Sequence, residues 1–274
     1  MTLYTSTVVV PRRRTRVWAA LGENTAYALG LPIVLVLGWG IWATLAPAQF
    51  FPSPTELVQA FVQTWIGPAF VTDVLPSLGR LAVGIVLSIV VGIVAGTLIG
   101  LNRWLRELLE PMLEFFRAVP PPVLIPIVAV LMGTTDAMKV VVIVAGSVWP
   151  ILLNTIEGVR ATDSVMTETA RSFALTPAER LRYLTLPAAS PRIMTGVRQA
   201  LSIALILMVI SELVYSSSGL GNRIVFFQRN YLIAEMWSGI LLLGLIGVLL
   251  AAVFGVVERR VLRWYHGIKE VERA

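Results

Sequence analysis

The sequence has no cysteine and only one histidine among 274 residues. Disulfides and thiolate metal sites are therefore excluded, and no His, Asp and Glu group stands at metal-ligand spacing. Charge is also scarce: 14% of residues are charged, where an average soluble domain carries roughly a quarter. With 57% hydrophobic residues and a mean hydropathy of +0.80, there is too little polar surface to coat a water-soluble globule. No Gly-x-x-x-x-Gly-Lys-Ser/Thr phosphate loop occurs, so the chain has no ATP site of that kind.

What is present is long apolar sequence. Six segments are long enough for the roughly 20 residues that cross a bilayer core: about Ala26 to Leu45, Leu75 to Leu101, Leu108 to Met132, Met138 to Ile156, Ile193 to Tyr215 and Met236 to Val257. The expected class is all-α, a polytopic membrane protein of about six transmembrane helices. It divides into a basic amino-terminal segment (1–25), a six-span domain (26–257) and a basic tail (258–274). The first apolar stretch is long enough to span and no small-x-small cleavage pattern follows it, which argues against a secretory signal.

A pI of 10.2 raises the question of nucleic acid. The basic residues are placed otherwise. Arg12, Arg13, Arg14 and Arg16 precede the first span, and Arg259, Arg260, Arg263, Lys269 and Arg273 follow the last. With the amino terminus inside, about 17 of the 22 Lys and Arg fall on the cytoplasmic side, so both termini are expected there and no nucleic-acid partner is expected. His266 reads as an interfacial side chain of the tail.

Ser53-Pro54-Thr55-Glu56 reads as a capping box opening a short interfacial helix, with Leu57, Ala60, Phe61 and Trp65 as its apolar stripe. Gly84, Gly92, Gly96 and Gly100 put small residues on one face of the second span, the pattern of close helix packing. Pro120-Pro121-Pro122 and Pro126 interrupt the third. Broken backbone at membrane depth is tolerated where protein or a water-filled cavity satisfies it, so this break points toward a path through the protein.

The one long polar stretch, 157–192, falls on the cytoplasmic side. Asp163 or Ser164 can cap a helix running to about Ala174, and Thr176-Pro177-Ala178-Glu179 opens a second that is expected to end near Leu186-Pro187. Two capped helices make a rigid projection. Within it stand Glu168-Thr169-Ala170, three residues, Ala174, nine residues, then Leu184-Thr185-Leu186-Pro187.

That stretch resembles the Glu-Ala-Ala, Gly, Ile-x-Leu-Pro signature of permeases of type I ATP-binding-cassette importers. Spacing matches throughout; Thr169, Ala174 and Leu184 depart in identity. Phe51-Pro52-Ser53-Pro54, Arg117-Ala118-Val119-Pro120-Pro121, Glu212-Leu213 and Ser218-Gly219-Leu220-Gly221 are similar to the nitrate, sulfonate, taurine and pyrimidine-precursor group. The resemblance implies the type I permease fold in a bacterial inner membrane. It implies that the loop docks on a separate ATPase through Glu168, Thr169, Ala170, Arg171, Phe173, Ala174, Leu184, Leu186 and Pro187. It further implies two ATPase copies holding ATP and Mg, a second copy of the permease forming a homodimer, and a periplasmic or lipid-anchored solute-binding protein. No cofactor is expected in this chain itself. An Ala at the Gly position would cost on the order of 1 kcal/mol if it took a positive φ.

Ionisable residues at membrane depth are functional candidates. Arg117, Pro120, Pro121, Pro122 and Glu212 are the candidates for the translocation path, while Glu114 and Arg117, three apart on one face, can also pair with each other. An ion-coupled secondary transporter is the alternative, although no carboxylate stands convincingly near a span centre. An intramembrane enzyme lacks a nucleophile-and-base set.

Overall fold

The computed structural model describes residues 16–46 and 49–265, with side chains from Gly30 onward; His266, Lys269, Arg273 and Arg12 to Arg14 lie outside the described residues. The described elements are helices, with no β-strand among them. Residues 1–58 and 59–274 form two compact units.

In the first unit, α1 spans Arg16–Leu45. It starts ten residues before the expected boundary at 26, because no proline or turn cluster halts a helix between Arg16 and Tyr27. Trp39 and Trp42 meet Phe51 edge-on, and the Trp39 indole N–H donates to the Pro52 carbonyl at 3.1 Å. The second helix, α2, spans Pro54–Trp65. Its capping box is formed: the Ser53 amide donates to Glu56 at 2.8 Å and the Glu56 amide to Ser53 Oγ at 3.3 Å. Those donors hold the Glu56 carboxyl below its ordinary value. Leu57, Ala60 and Trp65 of the expected stripe are buried.

The second unit is built around α6 (Asp136–Arg160), which packs along α3 (Leu75–Leu101) on one side and α9 (Leu186–Tyr215) on the other. The glycine row of α3 does what its spacing predicts. A methyl group on Gly84, Gly92, Gly96 or Gly100 would fall within 3.0 Å of Ile143, Ile151, Thr155 or Val159 of α6. Ser88 fills the missing step of that four-residue repeat, and its hydroxyl meets that of Ser147 at 2.7 Å, both fully buried. The α9 side is as close: Gly196 would collide with the Pro150 carbonyl and Gly158 with Ala189.

Two five-residue π turns, Phe70–Val74 and Leu181–Thr185, precede α3 and α9. Each is closed by a leucine amide, Leu75 to the Phe70 carbonyl and Leu186 to the Leu181 carbonyl, immediately before a proline. The expected helix end near Leu186-Pro187 is therefore corrected. The widened turn reroutes the hydrogen bonds around Pro187, which lacks an amide, and the helix that opens as α8 (Pro177–Arg180) continues through to Tyr215.

The third predicted span is not a straight one. It is a pair, α4 (Arg103–Ala118) and α5 (Leu124–Met132), bent by 82° across Val119 and a tight turn at Pro121–Val123. Three consecutive residues without an amide donor cannot continue α4. At nine residues α5 is about 13 Å long, too short to cross a core of about 30 Å alone. The remaining elements are α7 (Ser164–Ser172), α10 (Leu220–Arg229) and α11 (Ile233–Val261). Trp65 ties to α11 through an indole N–H to Ser238 Oγ at 2.9 Å.

Candidate functional site

At one end of the bundle, α7 and α8 form the projection read from the sequence. The Asp163 carboxylate caps α7 on the Val165 amide at 2.7 Å. The far end of α7 closes with the Leu175 amide on the Ala170 carbonyl at 3.0 Å and the Ala174 amide on the Arg171 carbonyl at 2.9 Å. That pairing is a Schellman motif, which requires a left-handed residue at Ala174, and Ala174 stands at φ +54°. Ala174, at the position where the signature has glycine, thus adopts the left-handed conformation that glycine favours. Thr176 and Glu179 complete a capping box at the mouth of α8.

Of the residues predicted for this site, Glu168, Thr169, Arg171, Phe173 and Ala174 are exposed, Leu184, Leu186 and Pro187 are half-buried, and Ala170 is buried as the anchor of the turn. Phe173 is 79% exposed, and Val165, Met166 and Tyr183 also lie open. A large apolar side chain is thus held exposed on a turn capped at both ends.

The broken pair lies elsewhere. Leu105, Leu109 and Leu113 of α4 pack on Ile99, Leu152 and Ile156, the Phe116 ring stacks on Trp149 at 5.6 Å, and Pro121 lies against Gly146. Trp149 and Gly146 are near the middle of α6, a helix about 37 Å long. The break at Pro120, Pro121 and Pro122 thus sits level with the middle of α6, and Arg117 stands beside it, paired with Glu114 at 2.7 Å, both more than half exposed.

Glu212 is at the opposite end from the projection and is fully buried. Arg80 Nη1 donates to it at 2.6 Å, the Gly221 amide at 3.0 Å, and the Ser77 hydroxyl lies 2.8 Å from both carboxylate oxygens. The other nitrogen of the Arg80 fork reaches Asp136 at 2.8 Å, where Lys139 also binds at 3.2 Å. Ser77 accepts from the Leu220 amide, and Asp73 lies 3.4 Å from that of Gly219. Gly219 holds φ +113° with the Glu212 carboxylate where a Cβ would sit, so only glycine fits. This knot joins α3, α6, α9 and the loop before α10, and it brings Glu212 nowhere near Arg117. Sequence reasoning missed Asp73, Ser77, Asp136 and Lys139; the spacing of Asp73, Ser77 and Arg80 along one helical face was the available signal.

The model of the family described as "Binding-protein-dependent transport system inner membrane component" matches residues 88–264, more than half the chain. The chain belongs to that family. This permease is 32% identical over 86% of its length to the putative aliphatic sulfonates transport permease protein SsuC of Escherichia coli (strain K12), covering 92% of it. It is 34% identical over 69% of its length to the bicarbonate transport system permease protein CmpB of Synechococcus elongatus, covering 68% of that protein. Among solved structures, an inward-facing form of the MetNI methionine ABC transporter aligns with a TM-score of 0.58 at 20% identity, over 69% of this chain and 94% of that one. The fold is that of a type I importer permease, and the chain is a multi-pass membrane subunit of an ABC importer.

Proposed function

We propose that this permease carries a small anion inward, docked through the Glu168 to Pro187 loop on a separate ATPase that binds ATP and Mg. One observation carries the docking: Phe173 and its apolar neighbours stand exposed on a turn fixed by two caps and a Schellman closure. An isolated loop gains nothing by ordering an exposed phenylalanine; a docking helix does. The excess of Lys and Arg near the loop end supports a cytoplasmic position for that end and for both termini.

Two copies of the permease would enclose the path, with two ATPases below and a solute-binding protein delivering from the outer side. Closure of the ATPases would push the projections, and the core of α3, α6 and α9 would move as one body while the α4–α5 pair lines the path. Arg117 and the Pro120 to Pro122 break are the path elements of this reading. Glu212, locked in its knot, holds the outer ends of the core together. The anion assignment draws on relatives named for sulfonates and bicarbonate. Nitrate is likewise an anion and taurine carries the same sulfonate group; a neutral pyrimidine precursor carries no such oxyanion.

The test is co-purification of the tagged chain from its native host in mild detergent, with partners identified by mass spectrometry. Native protein is expected to bring down an ATP-binding subunit, and Glu168→Lys to lose it. A stable, folded chain that recovers no ATPase in either form would defeat the docking role and favour the secondary transporter.

A further inference from the structure

Five of the six charged residues of α4 form a stripe: Arg103, Glu107, Glu110, Glu114 and Arg117 recur at intervals of four and three, which places them along one face of the helix, with Arg106 at its flank. The opposite side carries Leu105, Leu109, Leu113 and Phe116, the residues that pack on the core. No residue of α4 is buried in the single chain. Yet its last turn reaches mid-depth, where Phe116 stacks on Trp149 and Pro121 meets Gly146. Ionisable residues at such depth face the interior of an assembly or a water-filled cavity rather than lipid, and in the importer reading that cavity is the path.

Within the stripe, Arg117 has a particular geometry. It occupies the last turn of α4, where the helix dipole favours a cation. Glu114 accepts from one terminal nitrogen, Nη2, at 2.7 Å, and the pair is 59% and 56% exposed. A guanidinium offers five N–H donors in a planar fork that matches a two-oxygen acceptor. Glu114 is thus a resident counter-charge that an oxyanion of the same geometry can replace.

We propose that Arg117 is the residue through which the path reads solute charge: a small sulfonate or carboxylate oxyanion exchanges with Glu114 on its guanidinium while passing the break. This deepens the importer reading and rests on it. No bond is made or broken; one charge-assisted hydrogen-bond partner is traded for another. To a neutral solute the same guanidinium offers hydrogen bonds but no charge pairing.

The experiment uses the complete transporter, with ATPase and binding protein, in liposomes, and labelled ethanesulfonate and bicarbonate as probes. Arg117→Gln is expected to reduce uptake about tenfold or more, the loss of one charge-assisted hydrogen bond. Arg117→Lys should recover a substantial part of it, because a point charge replaces the fork. Size-exclusion profiles establish that each variant complex is assembled. Uptake by Arg117→Gln equal to native, or equal loss in the Gln and Lys variants, overturns the proposal by making Arg117 irrelevant or merely structural. A native complex that hydrolyses ATP but takes up neither anion also overturns it, whereas failure to recover any ATPase defeats the importer reading instead.

Discussion

Along α3, every fourth residue from Gly84 to Gly100 is glycine or serine and lies hard against α6; α4, which follows it directly in the chain, carries six charges and buries nothing. The two helices meet the same neighbour under opposite rules. With backbone and β-carbons already in contact, α3 cannot slide on α6 without collision. The leucines of α4 rest on the surface of the same core, so α4 can shift with little packing lost. A transporter needs both behaviours: a body that transmits force and a wall that changes shape.

The sharpest way to break the core is through its buried charges. Glu212→Ala leaves Arg80 at 6% exposure without its closest partner; stripping one member of such a pair costs about 3–5 kcal/mol. The variant is expected to lose most of its folded yield in detergent, as followed by thermal melting with tryptophan fluorescence.

Next in size is Gly96→Ala, which puts a methyl 2.7 Å from Thr155 Cβ and 2.8 Å from the Leu152 carbonyl. Overpacking of this kind costs about 1–3 kcal/mol. The same substitution at Gly255, which has nothing within 4 Å of its added carbon, should leave the melting temperature unchanged or raised. Equal effects at the two sites would mean that the close approach of α3 to α6 is not real.

Ala174→Gly removes the left-handed alanine from the projection and should stabilise the loop by about 1 kcal/mol or less, since glycine also gains freedom in the unfolded chain. Slower amide exchange at Leu175 would register it. The smallest effect concerns the α2 cap. Glu56 is held below 4.5 in the folded state, so its contribution is complete above that value and fades as pH falls through the lower folded value. Melting of the native chain should therefore weaken in acid more than that of Glu56→Gln; identical pH profiles would remove the cap from the account.

Much of this was legible beforehand where the cause is local. The bounds of α3 and the end of α9 at Tyr215 follow from apolar length, both capping boxes from their Ser or Thr and Glu spacing, and the close packing of α3 from its glycines. The break at Pro120 could be placed but not its 82° angle, which depends on what Pro121 meets across on α6 and α9. Pro187 reads as a stop because a proline removes an amide, and only the π turn before it reveals that the helix continues. Ala174 shows the reverse: the residue argues against positive φ, and the turn imposes it. The knot around Glu212 unites four separated stretches, so its members look like isolated polar residues until the chain is folded.

The division between a rigid core and a separate moving pair is tested most directly by joining α3 to α6. The chain has no cysteine, and the Ser88 and Ser147 hydroxyls are 2.7 Å apart, close to the separation that two cysteines bridge with a sulfur–sulfur bond of about 2 Å. Ser88→Cys with Ser147→Cys, oxidised in the assembled transporter, should hydrolyse ATP and transport as the reduced form does. Loss of transport on oxidation, restored by reductant, would show that α3 and α6 move past each other and would contradict the account.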